Sequence, residues 1–406
     1  MFLLLTGSAA AQATVEVCGD EARTRRLDAV EVLEDGHTRT IDGTFELTAG
    51  DHHLRLRRQN FLDAEFDLKI TDATRYLQIW LRPDPAIDHP LRQSGNLLIA
   101  FAEGSPDFDD PIWHQTMSGA GSHGLGNVFS PFERKNYEAT NFLLAYNFAD
   151  PFFSRMLPLD KKPEKVCFNA DGTLLFVSYR DELVVYQFNQ ELTVKVRHPL
   201  KTPLTALQLA PQENLVVAAD AKQLSCYDGA QGNRTGSLPL KDTPESLTIH
   251  HGKVFALVPY GLATFQLRPR LQPLGVRKIW SRLTELRPHP ITGQLFAACP
   301  GENALWKFDT PIQRLETPPA PVHLWLDEQR AYVTHRQSRT VSVVDLASGK
   351  LLNRAPIGPI VDLVFASNTL YVCLRNKVQA FDRNGKPVGR SIWFSHGFPQ
   401  SLALIP

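Results

Sequence analysis

Along most of this chain polar and apolar residues alternate with the period of two that β-strands impose, in short runs broken by Gly, Pro, Asn and Asp. Within the alternation one spacing recurs, an aliphatic residue followed three positions later by a bulky one. The copies are Leu143/Tyr146, Leu183/Tyr186, Leu224/Tyr227, Leu262/Phe265, Leu305/Phe308, Val341/Val344 and Val378/Phe381. Their second members lie 40, 41, 38, 43, 36 and 37 residues apart. A period of about forty filled with short strands is the signature of a β-propeller. One such unit cannot bury both faces of its own small sheet, so the copies must stack around an axis.

A full unit is predicted as strand a over 322–326, b over 331–334, c over 340–345 and d over 351–357, with Gly349 in the c–d turn. Strand b recurs as the apolar runs at 174–178, 215–218, 254–257, 295–298 and 370–373. The last strand a, Ser401 to Ile405, has no b, c and d after it, whereas the c-type run at Leu143 to Tyr146 has no strand a before it. The two fragments complete one another. The pattern therefore predicts a seven-bladed ring over 126–406, closed by the C-terminal strand, with the outer three strands of that blade drawn from 126–159. A ring of six blades beside a separate N-terminal sheet is the competing arrangement.

The segment from Tyr332 to Lys350, reading YVTHRQSRTVSVVDLASGK, resembles the YVTN propeller repeat, with His335 where the repeat carries Asn. The resemblance implies a WD40-like propeller of the kind found in surface-layer proteins, lactonases and the cytochrome d1 type, and it is nearly silent on activity. Residues 14–86 differ in composition and read as a small all-β, sandwich-like module. The stretch through Ala49-Gly50 and His53-Leu54-Arg55-Leu56 to Phe61 is similar to the PEGA-type module of surface and secreted proteins. Residues 87–125 read as a linker with one strand-like run from Leu97. At the N-terminus, Phe2 to Leu5 leads to Ala11-Gln12-Ala13, which matches the end of a secretory signal peptide without its basic start. Residues 1–13 are thus expected to be a signal-peptide remnant, and the protein to be periplasmic or extracellular.

Charge narrows the partners. With 43 basic and 43 acidic residues there is no global field to attract nucleic acid, and no later run is long and apolar enough to cross a bilayer as a helix. The five cysteines show no metal-ligand or disulfide spacing and read as small buried hydrophobes.

No hydrolase elbow, phosphate loop, zinc-protease or haem-attachment motif is present, and no cofactor is implied. In this strand order the b–c loops and d–a connections share one face. There the sequence places Arg134, Lys135, Arg180, Lys222, His335, Arg336, Arg339, Arg375 and Lys377, a docking surface for an acidic partner or a set of ordinary solvated turns. Along strand a, one parity is apolar and the other holds Lys165, Glu285, Arg287, His323 and Asp362. That predicts a polar channel, in which Glu285, His323 and Asp362 are candidates for a general base or metal ligands. Asp107, Asp109 and Asp110 form an acidic loop of the sort that could hold a hard cation. The expected function is a non-catalytic scaffold binding a protein or cell-envelope component through the b–c/d–a face. The alternatives are a lactonase-like hydrolase at the channel mouth and a redox subunit with a non-covalent cofactor.

Overall fold

Every regular element described in the computed structural model is a strand. The described residues are 12–19, 27, 29–71, 74, 76–82, 84, 97–104, 140–146, 155–189, 192–309, 311–356, 360–366, 369–374, 377–393 and 398–405. The chain divides into two compact units, Met1–His89 with Asp150–Phe153, and Pro90–Ala149 with Ser154–Pro406.

In the first unit the strands are β1 (Gln12–Cys18), β2 (Val30–Glu34), β3 (His37–Ile41), β4 (Thr44–Thr48), β5 (Gly50–Arg57), β6 (Ala64–Ile70) and β7 (Tyr76–Trp80). They form two sheets of order β4-β1-β7 and β3-β2-β5-β6. The β2–β3 hairpin turns on Asp35 and Gly36, both at positive φ (48° and 78°), the conformation whose twist matches the strands it joins. Val15 and Val17 from one sheet and Val32, Leu54 and Leu56 from the other bury into one apolar core. One boundary differs from expectation. Ala13 is fully buried and pairs with Leu47, so the last residues of the signal-like segment are part of β1. Ala49 separates β4 from β5, which belong to different sheets.

The second unit holds seven four-stranded antiparallel sheets among the described residues. Six take four consecutive strands each, in sequence order. Their inner strands are Lys165–Phe168, Ala206–Ala210, Ser246–His250, Glu285–Pro288, Pro321–Leu326 and Ile360–Ala366. The other sheet combines β8 (Leu97–Gly104), β9 (Thr140–Tyr146) and β10 (Arg155–Leu159) with the C-terminal strand Phe398–Leu404, in the order β10-β9-β8-C-terminal strand. The inner strands neighbour one another in turn, and Phe398–Leu404 lies between Ile360–Ala366 and Lys165–Phe168. This sheet packs Leu98, Ala100 and Leu143 against Leu175 and Val177 on one side, and Leu97, Ile99 and Leu402 against Cys373 and Val378 on the other. The sheets therefore surround an axis, and the unit is a β-propeller.

The i, i+3 spacing has a direct physical basis. Residues three apart on a strand point to opposite faces, and both faces of each sheet are covered by neighbours. Leu183 packs with Leu207 and Val216 of the following sheet, whereas Tyr186 packs with Leu98 and Ala145 of the preceding one. The strand paired directly with the C-terminal strand, however, is Leu97–Gly104, inside the segment read as a linker. Its apolar run LLIAFA is the inner-to-outer step of the closing sheet, so the propeller begins before residue 126 and the linker boundaries 87–125 do not hold.

Candidate functional site

The b–c loops and d–a connections lie at one end of the sheets, and their charges are partly spent within the fold. Lys161 bridges Asp181 and Glu182 at 2.8 Å each, and Arg197 reaches Glu182 at 3.0 Å. Glu302 accepts hydrogen bonds from Ser281 (2.5 Å) and from the Trp306 indole (3.1 Å), and pairs with Arg314 at 3.0 Å. Glu245 meets Arg282 at 3.7 Å. The Asp220 carboxylate, largely buried, accepts the backbone N–H groups of Lys222 and Gln223 at 2.7 Å and so closes its own turn. By contrast, Arg180, Lys222, Arg336 and Arg339 are exposed and form no ion pair among the described residues. Lys377, half-buried, donates to Gln379 at 3.4 Å. Arg134, Lys135, Arg375, Asp107, Asp109 and Asp110 lie outside the described residues.

His335 does not belong to that exposed set. Its strand runs Arg330–His335, one residue further than the pattern suggests, and the imidazole is 1% exposed. Nδ1 lies 3.3 Å from the Pro319 carbonyl, while Nε2 is buried without a hydrogen-bond partner. Burial pushes its pKa down to about 4, so the ring is neutral in ordinary conditions.

Several polar side chains of the inner strands are engaged in closed contacts within the fold. Glu285 binds Arg287 at 2.7 Å and His323 at 3.4 Å. Burial pushes the Glu285 carboxyl up, and the neighbouring Arg287 and His323 outweigh it, so it stays below the usual carboxylate range. Arg287 also donates to the Leu324 carbonyl at 3.2 Å and lies over the Trp325 ring at 5.0 Å. Asp362 accepts the Leu402 and Leu363 N–H groups, both at 2.8 Å, and the Ser401 hydroxyl at 3.2 Å. Burial raises its pKa, against the pull of those N–H groups and of nearby His323 and Lys165. Glu285, His323 and Asp362 do not assemble as a ligand set; among the described residues no three His, Cys, Asp or Glu side chains do. Glu285 is held as an anion and Asp362 is engaged by a neighbouring strand, so neither stands free as a base.

Sequence reasoning missed one feature of the loop face. In the sheet that opens at Ser246–His250, Pro259 and Tyr260 form the b–c turn and Ile279 to Thr284 the d–a connection. Between them lies a cavity of about 320 Å³, rimmed by Tyr260 (74% exposed) and Trp280 (84% exposed). Glu245, Ser281 and Arg282 complete its rim. The available signal was an aromatic residue in each of two short connections, where polar residues are the rule.

No protein-family model matches the chain, and no curated protein matches it in sequence. Solved structures do resemble it in part. The β-propeller domain of Cps50 (Swd1) from Myceliophteria thermophila is 12% identical, with 59% of this chain and 88% of that chain covered and a TM-score of 0.49. The WD40 domain of Neurospora crassa Pan2 is 11% identical over 54% of this chain and 75% of that one, with a TM-score of 0.45. Hsv2 from Kluyveromyces lactis is 12% identical over 56% and 77%, with a TM-score of 0.41.

Proposed function

We propose that this chain is an exported, non-catalytic scaffold: a seven-bladed, YVTN-type propeller behind a PEGA-like β-sandwich module, binding an acidic protein or envelope component through its b–c/d–a face. One observation carries the reading. The carboxylates Asp181, Glu182, Glu245 and Glu302 on or beside that face are engaged within the fold, whereas Arg180, Lys222, Arg336 and Arg339 remain exposed. Exposed Asp160 and Asp242 also lie in d–a connections, but with Lys162, Lys201 and Lys241 beside them cations stay in the majority, which favours an acidic partner and accelerates its encounter.

Reversing Arg336→Glu and Arg339→Glu together tests the choice of face. Both side chains are exposed, so the fold should survive. A pull-down from the native host is expected to lose the partner captured by the wild type, and an unchanged partner set would defeat the proposal.

A further inference from the structure

We infer that the Tyr260/Trp280 cavity is a docking site for a proline-rich segment in polyproline II conformation, carried by the partner protein. This inference rests on reading the b–c/d–a face as the binding face, and it names the chemistry one part of that face selects.

Ten large hydrophobic side chains are exposed among the described residues, and Tyr260, Leu274, Val276 and Trp280 all belong to this one sheet and its exit. Exposed apolar side chains scattered singly need no explanation, but Tyr260 and Trp280, the two most exposed of the ten, line one cavity. At about 320 Å³ the cavity sits at the low end of the roughly 300–1,000 Å³ of ligand sites. Trp, Tyr and Arg are also the residue types that dominate binding hot spots.

Three observations select the ligand. The rim is locally neutral, because its Glu245 carboxylate is paired with Arg282; that disfavours a charged anchor. The two rings each offer a donor, the Trp280 indole N–H and the Tyr260 hydroxyl, and neither ring forms a hydrogen bond among the described residues. A proline-rich segment offers carbonyl acceptors, lacks N–H donors and presents flat apolar rings. Thirdly, the adjacent outer strand Gln272–Lys278 is blunted against strand addition. It carries Pro273, and its pairing with Gly261–Gln266 shifts register at Thr264/Phe265 next to Gly275 at φ 156°. A polyproline II segment needs no ladder, whereas an added strand would.

Calorimetric titration of the full chain with a ten-residue polyproline peptide tests the inference, with a glycine–serine peptide of equal length and cellohexaose as controls. The polyproline peptide is expected to bind, and Trp280→Ala and Tyr260→Asn are each expected to weaken it at least tenfold, while neither control binds. Asn tolerates the left-handed φ of 62° at position 260, and unchanged thermal melts would certify both folds. Absence of polyproline binding, binding that both variants retain, or binding of cellohexaose that Trp280→Ala abolishes would each overturn it. Any of these leaves the Arg336/Arg339 pull-down standing, so failure here is separable from failure of the proposed face.

Discussion

His335 ends its strand with one ring nitrogen near a carbonyl and the other buried without a partner. Its folded pKa of about 4 lies below the ordinary 6.5, so the unfolded chain takes up the proton first. Stability from this residue is therefore complete above pH 6.5 and is lost as pH falls towards 4, by roughly 2–3 kcal/mol at pH 4.5. In His335→Asn that loss should vanish. Urea melts at pH 7 and 4.5 should show the variant gaining on the wild type in acid by about that amount; parallel losses in both proteins would contradict the assignment. The same residue marks a limit of sequence reading. Ending the predicted strand at Thr334 left His335 among the loop cations, and a single further residue of strand moved it from solvent into the sheet. Periodicity locates a strand well but its last residue poorly, because a terminal pair is decided by what packs beyond it.

Among elements, the b strands were legible as unbroken apolar runs because both faces of each sheet are covered. The c strands were legible because each carries one anchor per face. The polar parity of the inner strands was legible for the same reason, since Val166, Leu247, Leu286, Leu324 and Leu402 are all buried while their neighbours Lys165, Glu285 and His323 are not fully so. How those neighbours pair was not legible, because the Glu285–Arg287 contact and the Asp362 contacts depend on the angle between adjacent sheets. The strand Leu97–Gly104 was recognisable as a strand but not as part of the ring, being distant in sequence from its partner Thr140–Tyr146. Asp362 ties the C-terminal strand to Ile360–Ala366 through Leu402 and Ser401. Its carboxyl pKa is raised above the ordinary 3.8, so its ionisation costs the folded state more than the unfolded one. Stability from this group is present below pH 3.8 and is lost as pH rises through the folded value. Asp362→Asn keeps an acceptor and sheds that cost, whereas Asp362→Ala strands the Leu402 N–H and should cost about 1–3 kcal/mol. Denaturant melts of the two variants, with amide exchange at Leu402, should separate them; equal losses would show that the hydrogen bonds do not hold the strand.

For the propeller unit, the pairing of the C-terminal strand with Leu97–Gly104 completes the seventh sheet in the second unit among the described residues. A closed ring also removes the unpaired inner edge that would invite aggregation. In the closing sheet Ser401 is directly opposite Ala100, and both are buried. The native cysteines are free, and all but half-buried Cys167 are buried, so they compete little for a new bond. The most direct test is oxidation of the Ala100→Cys/Ser401→Cys variant, followed by mass mapping and a denaturant melt. An intramolecular disulfide joining the two substituted positions is expected, stabilising the protein by about 2–4 kcal/mol. A folded variant whose two new thiols stay unpaired after oxidation would place those strands in separate sheets and contradict it.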